Sequence, residues 1–173
     1  MTINQTSSIN GFFAILSGLF IVVFSMDPIP AIKYVLIISL FGSCIFSLLT
    51  TYKVQGNRIG FMDYWMTAAV SVVYALALVF HVRSLQEFIT TSAGFIFLYG
   101  LTQIIFAIQA LKLKERAYLN IMAIKGIGGL LCLITSALIF GTSILGSEYS
   151  LLFIGILQII IGNSFIDISK YYE

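Results

Sequence analysis

The chain has 173 residues, of which 60% are hydrophobic and only 9% charged, with a formal net charge of +2 and a mean hydropathy of +1.05. Soluble domains carry roughly 25% charged residues, so a surface this poor in charge has to face lipid. Six spans of about 20 residues consume about 120 positions, which leaves little for a soluble domain, and there is no basic tract for nucleic acid.

The first apolar run covers about residues 11–26, with Ser7, Ser8 and Asn10 ahead of it as N-cap candidates. The segment before it has no Lys or Arg, and no small-residue cleavage site follows. The run therefore reads as a retained first helix rather than a signal peptide. Asp27-Pro28-Ile29-Pro30 stops it, since each proline removes a donor and disfavours helix at the residue before. Span 2 covers about 31–51, with Lys33 at its outer end placed to snorkel to the headgroups. The polar stretch 52–63 leads to span 3 at about 64–80, where Tyr64 and Trp65 read as interface anchors. A short connection, 81–87, precedes span 4 at about 88–111. The most basic loop, with Lys112, Lys114 and Arg116, leads to span 5 at about 119–140. A Gly- and Ser-bearing turn then gives span 6 at about 150–168. The runs are apolar on all sides without period-2 alternation, so they are helices rather than barrel strands.

Cys44 and Cys132 both lie inside apolar runs and read as small core residues, not as a disulfide framework. Orientation follows the positive charges of the short loops. Lys53, Arg58, Lys112, Lys114, Arg116 and Lys170 share one side with both termini, against Lys33 and Arg83 on the other. That bias puts both termini in the cytoplasm.

The six spans fall into three consecutive pairs. Gly100-Leu101-Thr102-Gln103-Ile104-Ile105 and Gly155-Ile156-Leu157-Gln158-Ile159-Ile160 share Gly, Gln, Ile and Ile at an offset of 55, and Gly42 keeps the glycine in the first pair. The first helices match more loosely: Ser17-Gly18-Leu19-Phe20 resembles Gly128-Gly129-Leu130-Leu131, while Val72-Val73-Tyr74 lacks the glycine. A two-span unit returns the chain to its starting side, so the repeats are parallel, related by an axis along the membrane normal. The expected fold is an all-α, polytopic six-helix bundle of three tandem hairpins. Residues 1–10 form a cytoplasmic segment, 11–168 the membrane domain with repeats at about 11–52, 64–111 and 119–168, and 169–173 a cytoplasmic tail. Gly11 and Gly18, and Gly155 and Gly162, are seven apart, and each pair marks one helix face for close approach.

On these residues the chain resembles the HdeD family, small six-span bacterial membrane proteins linked to acid resistance. The resemblance runs from about Phe12 to Ile168 and rests on the tandem hairpins, the stretch from Ser17-Gly18-Leu19-Phe20 to Asp27-Pro28, and the two Gly-x-x-Gln-Ile-Ile segments. His81-Val82 and Gly141-Thr142 stand where the later pairs would repeat Asp-Pro, and span 3 lacks the glycine. The resemblance implies an inner-membrane location and a part in envelope or acid stress, and brings no catalytic residues.

Lys125 is the sharpest polar candidate, about 9 Å inside span 5. A cation at that depth is a functional hypothesis by default. Depth matching on span 6 offers Asp167 as its ion-pair partner with Asn163 in support, against snorkelling to headgroups. Gln103 and Gln158, at equivalent repeat positions, are expected to hydrogen-bond across helices or to line a polar path. Every Asp and Glu sits near an expected membrane edge, and the single histidine, His81, lies in a loop, which argues against a proton relay. His81 could instead join Asp27, Glu87 and Glu148 as a pH-sensitive group on the outer face. Gly126-x-Gly128-Gly129 follows no strand and is not a phosphate loop. Metal-ligand, cofactor and catalytic constellations are missing. The expectation is a non-enzymatic membrane protein that supports the envelope or a partner complex, or a homo-oligomer. The alternative is a small transporter or channel lined by Lys125, Gln103, Gln158 and Asn163.

Overall fold

The computed structural model of the chain describes residues 3–24, 30–54, 58–112, 116–141 and 147–169, with side chains described for 5–24, 31–54, 60–112, 120, 122–141 and 149–166. Among them are six helices: α1 (Ile3–Val23), α2 (Pro30–Lys53), α3 (Arg58–Phe80), α4 (Leu85–Lys112), α5 (Arg116–Gly141) and α6 (Ser147–Ser169). Each holds a stretch long and apolar enough to cross a membrane, from 18 residues in α6 to 28 in α4. The helical state follows from the solvent: lipid offers no hydrogen bonds, so each span satisfies its own backbone. Hydroxyls inside the spans obey the same constraint. Thr50, Thr51, Thr67 and Ser92 each donate to the carbonyl four residues earlier, the local bond open to Ser and Thr within a helix.

Helix starts carry local chemistry. Pro30 opens α2, where a missing N–H removes nothing the helix needs. Ahead of α4, Ser84 Oγ accepts from the Glu87 N–H while Glu87 Oε2 accepts from the N–H groups of Ser84 and Arg83. This reciprocal capping box fixes the helix entry. The short 81–84 turn is tied down further by Lys33, whose Nζ donates to the Val82 carbonyl at 2.7 Å. Lys33 thus clamps α2 to the α3–α4 turn, where snorkelling was expected.

Two helices begin earlier than their apolar runs suggest. α1 starts at Ile3, so Ser7, Ser8 and Asn10 are interior to the helix rather than caps. α3 starts at Arg58, so Asp63 is helical and Tyr64 is in its second turn. The polar side chains that looked like loop signals are turned inward and paired. Asn10 Nδ2 donates to Ser47 Oγ of α2, and Tyr64 Oη donates to Ser7 Oγ, which donates on to the Phe165 carbonyl of α6. Tyr64 is therefore fully buried, while Trp65 remains 54% exposed, so only the second of the two can anchor at an interface.

The helices close into a ring in chain order, α1 against α2 and onward to α6, which returns to α1. The closest-packed interfaces are α1/α6, α4/α5 and α2/α3, and α5/α6 is the sparsest of the ring. Glycines explain two of the tight ones. A Cβ on Gly18 would lie 2.6 Å from the Gly155 carbonyl oxygen, and one on Gly11 would lie 2.5 Å from that of Gly162. A Cβ on Gly100 would lie 2.8 Å from the Gly129 oxygen, and the converse distance is also 2.8 Å. Backbones meet directly at these points, which only residues without a side chain permit. Ser136 Oγ continues the α4/α5 seam by donating to the Ala93 carbonyl at 2.8 Å. An apolar core including Ile21, Leu36, Leu78, Phe88 and Cys132 fills the interior. Cys44 and Cys132 are both buried free thiols.

Candidate functional site: a buried ion pair and the cleft beside it

Lys125 is carried by α5 and is 2% exposed. Its Nζ donates to Asp63 Oδ1 at 3.0 Å and Oδ2 at 2.8 Å, and Asp63 is itself 4% exposed. Lys125 thus pairs with Asp63, which the sequence did not suggest as a partner; the side chain of Asp167, the expected partner, lies outside the described residues. The reach is set by helix geometry. At 1.5 Å per residue, Asp63 is about 7 Å beyond the start of α3 and Lys125 about 13 Å beyond the start of α5. Helical side chains lean toward the N-terminus, so the long lysine stem spans the difference in depth. Asp63, expected near a membrane edge, is buried inside the bundle.

α3 and α5 are not neighbours in the ring, so the pair bridges the bundle interior. The ammonium also lies 5.4 Å from the Phe106 ring centroid and 5.1 Å from that of Phe165. Both are within the distance at which a ring face attracts a cation. Phe106 comes from α4 and Phe165 from α6, and Phe165 carries the carbonyl that ends the Tyr64–Ser7 chain. The ion pair, two rings and one hydroxyl relay thereby draw five helices to one level of the bundle.

Beside the pair, a cavity of about 400 Å³ opens between α5 and α6, with α4 as its back wall. Lys125, Gln103, Asn163 and Tyr99 line it together with apolar residues of α5 and α6. It occupies the place where α5 and α6 are least closely packed. Three of the four residues expected to line a route thus converge. Gln158 does not join them: it borders a separate cavity of about 60 Å³ with Ser43, Ser71 and Tyr74. Tyr99 stands between the two and lines both.

The interhelical amide bonds expected of Gln103 and Gln158 are not found among the described residues. Gln103 is 4% exposed and faces the cavity. Among the described residues the buried Tyr99 hydroxyl finds no hydrogen-bond partner, and neither does Asn10 Oδ1. Asn163 is exposed and makes no hydrogen bond to Lys125. His81 is exposed at the end of α3, close enough to Glu87 to interact with it electrostatically, but the Glu87 carboxylate is already engaged as the α4 cap. Asp27 and the Glu148 side chain lie outside the described residues. No group of three or more metal-ligating side chains occurs among the described residues.

Sequence reasoning missed Asp63 and Tyr99. Asp63 had a readable signal, since it lies on the same side of the membrane as Lys125 and at comparable depth once α3 is extended to Arg58. Tyr99 had none, because an aromatic in an apolar run reads as core. The six apolar helices make this a multi-pass membrane protein. A scan against protein-family models returned no matching family, and searches of curated proteins and of solved structures returned no match.

Proposed function

We propose that the chain is a non-enzymatic integral membrane protein of the HdeD-like type, built from three tandem hairpins, that supports envelope integrity or acid tolerance or stabilises a partner complex. It resides in a bacterial inner membrane with both termini in the cytoplasm. The repeat reading is supported by the glycine seams. Gly100 and Gly155 occupy corresponding positions in the second helices of their hairpins, and Gly129 and Gly18 in the first helices. Each seam therefore joins the second helix of one hairpin to the first helix of another.

The observation that carries the functional reading is the state of Lys125. Its ammonium is bound to both oxygens of a carboxylate and packed between two rings. A residue held in this way fixes helices in place rather than exchanging ions with a passing solute. The test is a deletion strain scored for survival at low pH, complemented by the wild type and by the double variant Lys125→Met/Asp63→Leu. Loss of survival restored by both the wild type and the double variant is the expected result. A deletion strain that survives like its parent overturns the acid-tolerance role, and failure of only the double variant assigns the pair a functional charge.

A second reading, a small transporter or channel, is favoured by one observation: Lys125, Gln103 and Asn163 line a single cavity. Against it, Gln158 borders a different cavity. Liposomes carrying a pH-sensitive dye separate the readings. Proton or ion leak above that of empty liposomes, and abolished by Gly128→Leu, favours transport.

A further inference from the structure

We infer that the α5/α6 cleft is a binding site for an uncharged amphiphile, a single apolar chain ending in a head that both donates and accepts hydrogen bonds, of the kind a glycerol monoester carries. The inference goes beyond the supporting role proposed above and needs only the fold and the cleft.

Three observations carry it. First, the cleft holds a polar group that nothing among the described residues satisfies. The Gln103 amide, 4% exposed, lines the cleft without a hydrogen bond among the described residues. Within a span, lipid tails supply no partner, and protein groups left this way normally receive one from a ligand or water. A head oxygen can accept from Gln103 Nε2, and a head hydroxyl can donate to Gln103 Oε1.

Second, the cleft is amphipathic and open on the membrane side. Ile127, Leu131 and Ile160 line it and are exposed on the outer surface of the bundle. The volume, about 400 Å³, falls in the range of small-molecule sites, which are mostly apolar with a few placed polar groups. An apolar chain entering between α5 and α6 replaces one apolar environment with another, while the head reaches the Gln103 amide.

Third, the charge at the inner end is already neutralised. Both hydrogen bonds from Lys125 Nζ go to Asp63. An anionic head would have to displace that carboxylate, leaving it buried and unpaired, and a cationic head would face the ammonium. Discrimination therefore favours a neutral head over a fatty-acid anion.

The test uses the full chain in phosphatidylcholine nanodiscs with a monoacylglycerol bearing a photoactivatable diazirine in its chain. The corresponding fatty acid, ionised at pH 9, serves as the counter-probe, and unlabelled monoacylglycerol as the competitor. Crosslinks are expected in the stretches around Ile124 to Leu131 and Ile160 to Ser164, suppressed by the competitor and weaker for the ionised acid. Gly128 provides the blocking variant, because a Cβ there meets nothing within 4 Å and the residue lines the cleft. Gly128→Leu should reduce specific crosslinking by about tenfold or more, a displacement of the chain. Gln103→Leu should reduce it by about tenfold, the loss of two hydrogen bonds, whereas Gln158→Leu, in the other cavity, should not. Crosslinking spread over the bundle and unchanged by Gly128→Leu overturns the site, whatever the folding of the Gln103 variant. Equal labelling by the ionised acid overturns the preference for an uncharged head.

Discussion

Removing the Lys125 charge alone should be among the most destabilising single changes in this protein, and removing both charges should not. At 2.8 Å between Nζ and Oδ2 and an effective dielectric of about 20, the attraction is about 6 kcal/mol. Two ring faces within 6 Å of the ammonium add roughly 0.5–2 kcal/mol each. Against this stands a desolvation penalty of several kcal/mol per ion, so the intact pair contributes little net stability compared with an apolar replacement. Lys125→Met deletes the attraction but leaves the Asp63 carboxylate in place at 4% exposure, and breaking a buried pair in this way costs about 3–5 kcal/mol. For a chain of this size that is roughly 6–20 °C in Tm. In Lys125→Met/Asp63→Leu both charges of the pair are gone, and stability should return to within about 1 kcal/mol of the wild type. The two single changes are in contact and should be strongly non-additive. Unfolding by increasing SDS fraction in mixed micelles, followed by circular dichroism, measures all four species of the cycle. A wild-type-like Lys125→Met, or a double variant as unstable as the sum of the singles, would refute the reasoning. Asp167→Asn serves as the control and should shift stability by less than about 0.5 kcal/mol, since Lys125 already holds a partner.

The glycine seams and the α4 cap give further tests in the same assay. Gly155→Leu places a side chain against the Gly18 carbonyl and Val22 and should destabilise by about 1–3 kcal/mol or more through overpacking. Gly128→Leu, with open space at its Cβ, should change stability by less than about 0.5 kcal/mol. Equal effects at the two positions would contradict the assigned α1/α6 seam. Ser84→Ala removes half of the capping box and should cost about 1 kcal/mol. Faster amide exchange in the first turn of α4, with the rest of the helix unchanged, is the accompanying signature.

Much of the fold was legible because its causes are local. Six apolar runs require six helices when no water is at hand to satisfy the backbone. Glycines seven apart fall on one face, and the α1 pair, Gly11 and Gly18, does meet the α6 pair, Gly162 and Gly155. The starts of α1 and α3 were not legible for an equally physical reason. Ser7, Asn10 and Tyr64 have the composition of a boundary, but their hydrogen bonds are closed by residues of other helices. A polar residue whose partner is distant in sequence looks the same as one facing water.

The chain by itself determined the medium, the number of crossings, the helical state and the presence of a buried lysine, because hydropathy and backbone chemistry act within each segment. Only the tertiary structure decided that Lys125 answers to Asp63 across the bundle, that α6 closes on α1, and that α5 and α6 part to leave a polar-ended cleft. Those outcomes depend on which helix faces are brought together, a matter of packing between segments distant in sequence.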